Sequence, residues 1–268
     1  MNRRTPAIRA MPVIAPSRTR IVLGFLCLFL LYQSAEGVGQ RLLHSFPVQA
    51  GLMLACVLMA WPVSRWLGFR GLQAYALPWR LRAMAWLPPF LLLATGLKAA
   101  ALYGGEALGV YAPDADATAT GTAVLQALPM LMFLTFVPSI AEDILTRGFP
   151  YRAAGIRWQR AAAFVVCSSL LYVLNHVYRL SLGPTEWLLL FVYGATYATA
   201  LWRTGSLWSA VGLHWGWNLS NELLAQAMPT TTLSADGGRC LSAVAHLLML
   251  GVVWWTTRAG ARQTARAA

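Results

Sequence analysis

The chain has 268 residues, of which 58% are hydrophobic and only 11% charged. Soluble domains carry roughly 25% charged residues, so this balance excludes an ordinary soluble domain and points to a polytopic membrane protein. The net charge of +12 does not indicate nucleic acid, because the arginines fall mainly between apolar runs, where the positive-inside rule expects them.

In chain order, residues 1–20 are basic and broken by Pro6, Pro12 and Pro16, which predicts a disordered cytoplasmic tail. A membrane helix needs about 20 mostly apolar residues. The first run covers Ile21 to about Val38. It is read as a span rather than a cleaved signal, because a long basic tail precedes it. Span two covers Pro47 to Val63, and a loop with Arg65, Arg70, Arg80 and Arg82 follows. Span three covers Ala83 to Tyr103, softened by Pro88 and Pro89. An acidic loop with Glu106, Asp114 and Asp116 leads to span four, Ala123 to Arg147. Arg152, Arg157 and Arg160 precede span five, Ala161 to Leu180. Span six is Thr185 to Trp202, span seven Ser206 to Ala225 and span eight Cys240 to Thr257, and the tail carries Arg258, Arg262 and Arg266.

Most arginines lie in the two tails and in the loops after spans two, four and six. The other loops hold only Arg41, Arg179 and Arg239. This alternation predicts an all-α protein of eight transmembrane helices with both termini in the cytoplasm. It divides into a tail (1–20), a three-helix region (21–122), a core (123–225), and a last helix with a basic tail (226–268). Cys27, Cys56, Cys167 and Cys240 show no CxxC spacing and read as buried small hydrophobes. Tryptophans near the ends of the runs suit interfacial anchoring.

Ionisable groups inside a membrane are costly and mark a functional site by default. Here they gather on spans four, five and seven. Span four carries Glu142, Asp143 and Arg147; span five Tyr172, Asn175 and His176; span seven His214, Asn218 and Glu222. Asp143 and Arg147 are four apart and can pair, which leaves Glu142, about 100° around the helix, free to face elsewhere. Glu222 reads as an interfacial residue, Tyr193 and Tyr197 as packing or belt residues, His44 as a loop residue, and His246 as a histidine bonded to backbone. Gly212 and Gly216 permit close helix approach and are expected to bring His214 towards spans four and five. Depth leaves a conflict: at 1.5 Å per residue Glu142 lies about 12 Å from Pro150, but His176 about 22 Å from Ala161.

Three motifs carry a family resemblance. Glu142-Asp143-Ile144-Leu145-Thr146-Arg147-Gly148 resembles the E-E-x-x-x-R-G motif of the CPBP intramembrane proteases, a family of type II CAAX prenyl endopeptidases and bacteriocin-processing and immunity relatives. Tyr172-x-x-x-His176 is similar to its F-x-x-x-H, and His214-x-x-x-Asn218 to its H-x-x-x-N. Asp143 stands where the family has a second Glu, and Tyr172 where it has Phe. The resemblance implies a glutamate-dependent intramembrane endopeptidase: Glu142 as general base, His176 holding the water, His214 and Asn218 stabilising the oxyanion, and Arg147 fixing Asp143. Two histidines and a carboxylate also form a zinc ligand set, so Glu142, His176 and His214 are the candidate ligands of a metal-assisted version; the metal-free reading, with no cofactor, is preferred. The expected partners are the bilayer and a membrane-associated peptide or protein. The alternatives are a non-catalytic immunity or scaffold protein that keeps the core, and a proton-coupled transporter, which the lack of duplicated halves disfavours. The arginine-rich, lysine-poor composition suggests a bacterial inner membrane and a substrate that is not prenylated, such as a bacteriocin leader or a sorting tail.

Overall fold

A computed structural model describes residues 16–114, 121–154 and 161–257. Among them, eight helices of 15 residues or more follow the apolar runs. They are α1 (Arg18–Ser34), α2 (Phe46–Trp66), α3 (Leu87–Ala107) and α4 (Gly121–Asp143), then α5 (Ala161–Asn175), α6 (Pro184–Thr204), α7 (Leu207–Ala227) and α8 (Ala235–Thr256). Five helical segments are long and apolar enough to cross a membrane: those of α1 to α4 and of α8. Leucines on their outer surfaces, among them Leu30, Leu58, Leu92, Leu125 and Leu248, are exposed, as expected where hydrocarbon replaces water as solvent.

Several boundaries differ from the sequence reading. Ser17 Oγ accepts from Arg20 N at 3.3 Å and caps α1, so the tail ends before Arg18. Span five is shorter than expected: α5 stops at Asn175, and Val177–Leu182 forms a 3-10 turn. Cys167 and Cys240 are exposed and Cys27 half-buried, with only Cys56 buried, because an apolar side chain in this chain can face outward. Arg3, Arg4, Arg9, Asp116, Arg157, Arg160, Arg258, Arg262 and Arg266, which entered the charge count, lie outside the described residues.

The described loops meet in two groups. After α3 and α7, β1 (Tyr111–Pro113) pairs antiparallel with β2 (Thr230–Thr232), with Tyr111 opposite Thr232. At the other end, the loop after α2 meets the turn between α6 and α7, where Leu207 N donates to Ala76 O at 2.9 Å.

The glycines of α7 have a different partner from the expected one. A Cβ on Gly212 would lie 2.7 Å from Leu87 O, and one on Gly216 2.7 Å from Leu91 O. The small-residue face therefore packs against α3. His214 is two residues from each glycine, about 200° around the helix, so α3 holds the back of α7 while His214 faces α4.

α4 continues through a π-helical segment, Ile144–Gly148, into a helical turn, Phe149–Arg152. Pro150 has no N–H and its ring crowds the carbonyl four residues earlier, which is that of Thr146. The wider π turn accommodates this, and Ser168 Oγ on α5 donates to Thr146 O at 2.9 Å. Gly148 lets the loop after α2 come close: a Cβ there would stand 2.9 Å from Tyr75 O.

Candidate functional site

Glu142 and Asp143 end α4 just before the π turn, and both are buried. Adjacent on the helix, they take different partners. Asp143 pairs with the fully buried Arg147 through Oδ1. The same oxygen lies 3.0 Å from His214 Nδ1. A carboxylate accepts, so His214 Nδ1 carries the hydrogen and Nε2 is left towards Glu142, 3.6 Å from its Oε2.

Among the described residues, Glu142 has no arginine or lysine in contact. Asn175 Nδ2 donates to its Oε1 at 3.0 Å, and His176 Nδ1 lies 3.4 Å from the same oxygen. The ring of His176 is held from behind, with Nδ1 2.9 Å from Tyr172 O. A carbonyl only accepts, so Nδ1 bears a proton. Contacts of 3.4 and 3.6 Å are longer than ordinary direct hydrogen bonds.

The depth conflict disappears in the packing. Ser168 is level with Thr146, and seven residues later Asn175 reaches Glu142. α5 therefore crosses α4 obliquely, and the two helices do not start at one depth. The end of α5 at Asn175 turns both Asn175 and His176 inward.

Asn218 joins the cluster one turn away. Its Nδ2 donates to Ser139 Oγ at 3.0 Å, so it bonds a neighbour of Glu142 and not Glu142 itself. Tyr172 is buried, its ring 4.7 Å from that of His176 and 5.0 Å from the Arg147 guanidinium. Glu222 is exposed.

Asn175 stands out only as a polar residue inside an apolar run; the structure makes it the hydrogen-bond donor to Glu142. Its own amide is fixed by Gln33 Nε2 of α1, which donates to Asn175 O at 2.8 Å and Oδ1 at 3.1 Å. Tyr197 is no belt residue: fully buried, it stacks on His214 at 4.9 Å and covers Arg147 at 5.1 Å. Its hydroxyl meets His246 Nε2 at 2.9 Å, while His246 Nδ1 contacts Ser242 O at 2.8 Å. His246 thus bonds a backbone carbonyl, as read from sequence, and also supports the wall behind His214.

Nδ1 of both His176 and His214 is engaged, so each could meet a metal only through Nε2. His176 Nδ1, the nitrogen facing Glu142, is occupied by the Tyr172 carbonyl, and the two histidines approach different oxygens of Glu142. Among the described residues no group of three His, Cys, Asp or Glu is placed to hold a metal ion.

Chemically, the cluster offers a buried carboxylate with no arginine or lysine in contact among the described residues, two imidazoles each held at Nδ1, and two carboxamides. Residues 124–220 match the family model described as Rce1-like, type II CAAX prenyl endopeptidase, and this match contains every residue of the cluster on α4, α5 and α7. No curated protein matches the chain.

Proposed function

We propose, on the premise that the chain belongs to the Rce1-like type II CAAX prenyl endopeptidase family through residues 124–220, that it hydrolyses a peptide bond of a membrane-associated substrate with Glu142 as general base. The observation that carries this reading is the surroundings of Glu142: Asn175 at 3.0 Å and two histidines at 3.4 and 3.6 Å, with no arginine or lysine in contact among the described residues.

Amide hydrolysis needs a base for the attacking water and donors for the oxyanion. A water between Glu142 and His176 would pass its proton to the carboxylate. His214, held by Asp143 through Nδ1, would donate from Nε2 once that nitrogen is also protonated, and Asn218 from its amide, to the oxygen of the scissile carbonyl. The proton on Glu142 would then pass to the leaving amine. Arg147 pairs with Asp143, and Asp143 in turn would keep His214 oriented. No step is assigned to a metal.

In this reading all eight helices cross the bilayer and both termini are cytoplasmic, with Gly148 and Arg152 on the cytoplasmic side. The composition favours a bacterial inner membrane and a substrate without a prenyl group. An apolar groove of about 540 Å³, walled by Met84, Met132, Phe136 and Trp215, supports lateral entry from lipid. It adjoins the cluster, for Trp215 Nε1 donates to Thr135 Oγ1 at 3.1 Å, one turn from Ser139.

The test compares membrane proteomes of cells carrying the wild type and Glu142→Gln. A short membrane-associated protein that keeps its terminal segment only in the variant identifies the substrate. Identical proteomes with equal protein levels contradict the reading. Cleavage of that substrate by purified protein is expected to persist in a strong chelator; complete loss, restored by zinc, would move the mechanism to a metal.

A further inference from the structure

A second cavity lies at the end of the bundle where α4 passes into Phe149–Arg152. It has a volume of about 670 Å³, and Arg80, Arg82 and Arg152 line it together with Gln73, Thr204 and Ser206. No Asp or Glu is among its lining residues. Leu81 and Trp86 add apolar surface to the same wall.

The loop that builds this wall is fixed from several sides. Ala76 adopts φ of 55°, a left-handed conformation rare for a residue with a Cβ. Its carbonyl accepts from Leu207 N at 2.9 Å. Tyr75 beside it is fully buried, and its hydroxyl donates to Ala60 O at 2.8 Å. Strained backbone that the surrounding structure over-determines clusters at binding sites.

One polar atom in this wall lacks a partner: Gln73 Oε1 is buried and accepts no hydrogen bond among the described residues. Such an atom asks for a ligand or an ordered donor. Loop arginines alone would follow from membrane topology. A half-open cavity that joins arginines, no acid among its described lining residues and an orphan acceptor asks for more: an anion that also carries a hydrogen-bond donor.

We propose that this cavity binds the phosphodiester of a phospholipid headgroup that bears a hydroxyl or ammonium donor. The guanidinium groups hold the phosphate oxygens, for which their forked donors are suited. Gln73 Oε1 accepts from the headgroup donor, and the apolar wall at Leu81 and Trp86 meets the start of the acyl chains. The cavity adjoins the turn that follows Arg147 and Gly148, so a bound lipid would anchor the end of α4 at the membrane surface.

Native mass spectrometry of the full chain in detergent, titrated with phosphatidylglycerol, tests this. One lipid is expected per chain, and Arg80→Gln/Arg82→Gln is expected to weaken its retention about tenfold. Both arginines are exposed, so the melting temperature of the delipidated double variant should match the wild type. If it falls, the single variants carry the test, each with a smaller loss in the same direction. Inorganic phosphate alone separates the sources of the anion: saturable phosphate binding lost in the same variant, without lipid retention, would give the site to a soluble phosphate compound and overturn the lipid assignment. Equal phosphatidylglycerol retention by wild type and variants would overturn the proposal altogether.

Discussion

Two glutamates are buried in this bundle, and they differ in what they face. Glu186 lies in the first turn of α6, where the helix dipole favours an anion. Arg179 pairs with its Oε1, and Arg239 Nε lies 3.5 Å from its Oε2. Glu142 has an amide and two imidazoles and, among the described residues, no contact with a permanent cation. A carboxylate clamped between arginines is a fixed anion that ties α6 to the Val177–Leu182 turn and to α8. A carboxylate among groups that can themselves give or take protons is placed to exchange one. Burial of an acid is thus common to a clamp and a site; the partners separate them.

The comparison is broken most strongly at Asp143. Asp143→Asn leaves the Arg147 charge buried without its counter-ion, a loss of about 3–5 kcal/mol for such pairs. It also frees His214 Nδ1, so turnover is expected to fall by about 10²–10⁴. Asp143→Glu restores the charge and should recover part of both, read by melting temperature and single-turnover cleavage. Wild-type turnover in Asp143→Asn would remove the orienting role.

A smaller effect is expected on the other side. Glu186→Gln should lower stability by about 1–2 kcal/mol, since its arginines are partly solvated and screened, while cleavage stays near wild type. Cleavage as low as in a Glu142 variant would erase the distinction between the two acids. The smallest effect is expected from Tyr197→Phe, which keeps the ring stacked on His214 and removes one hydrogen bond to His246. About 1 kcal/mol of stability and little turnover should be lost, whereas Tyr197→Leu should reduce turnover by releasing the His214 ring.

Much of this was legible in the chain. The apolar runs gave the eight helices within a few residues, and the spacing of Asp143 with Arg147 gave their pair. That Glu142, His176, His214 and Asn218 share one region follows from the cost of placing such groups in a membrane alone. Helix pairing was less accessible. Gly212 and Gly216 state that a helix comes close but not which one, and α3 fills that place. Depth counting misplaced His176 because a rise per residue says nothing of tilt, and α5 is oblique and ends at Asn175. Tyr197 was hidden because four-residue aromatic spacing marks a lipid-facing belt as readily as the wall of a site.

The central claim is that Glu142, and not Glu186, exchanges a proton in catalysis. Single-turnover cleavage of the identified substrate by purified Glu142→Gln and Glu186→Gln, at matched folding by melting temperature, tests it most directly. The account predicts loss of about 10²–10⁴ in rate for Glu142→Gln and a near wild-type rate for Glu186→Gln. Retained cleavage by folded Glu142→Gln would contradict it.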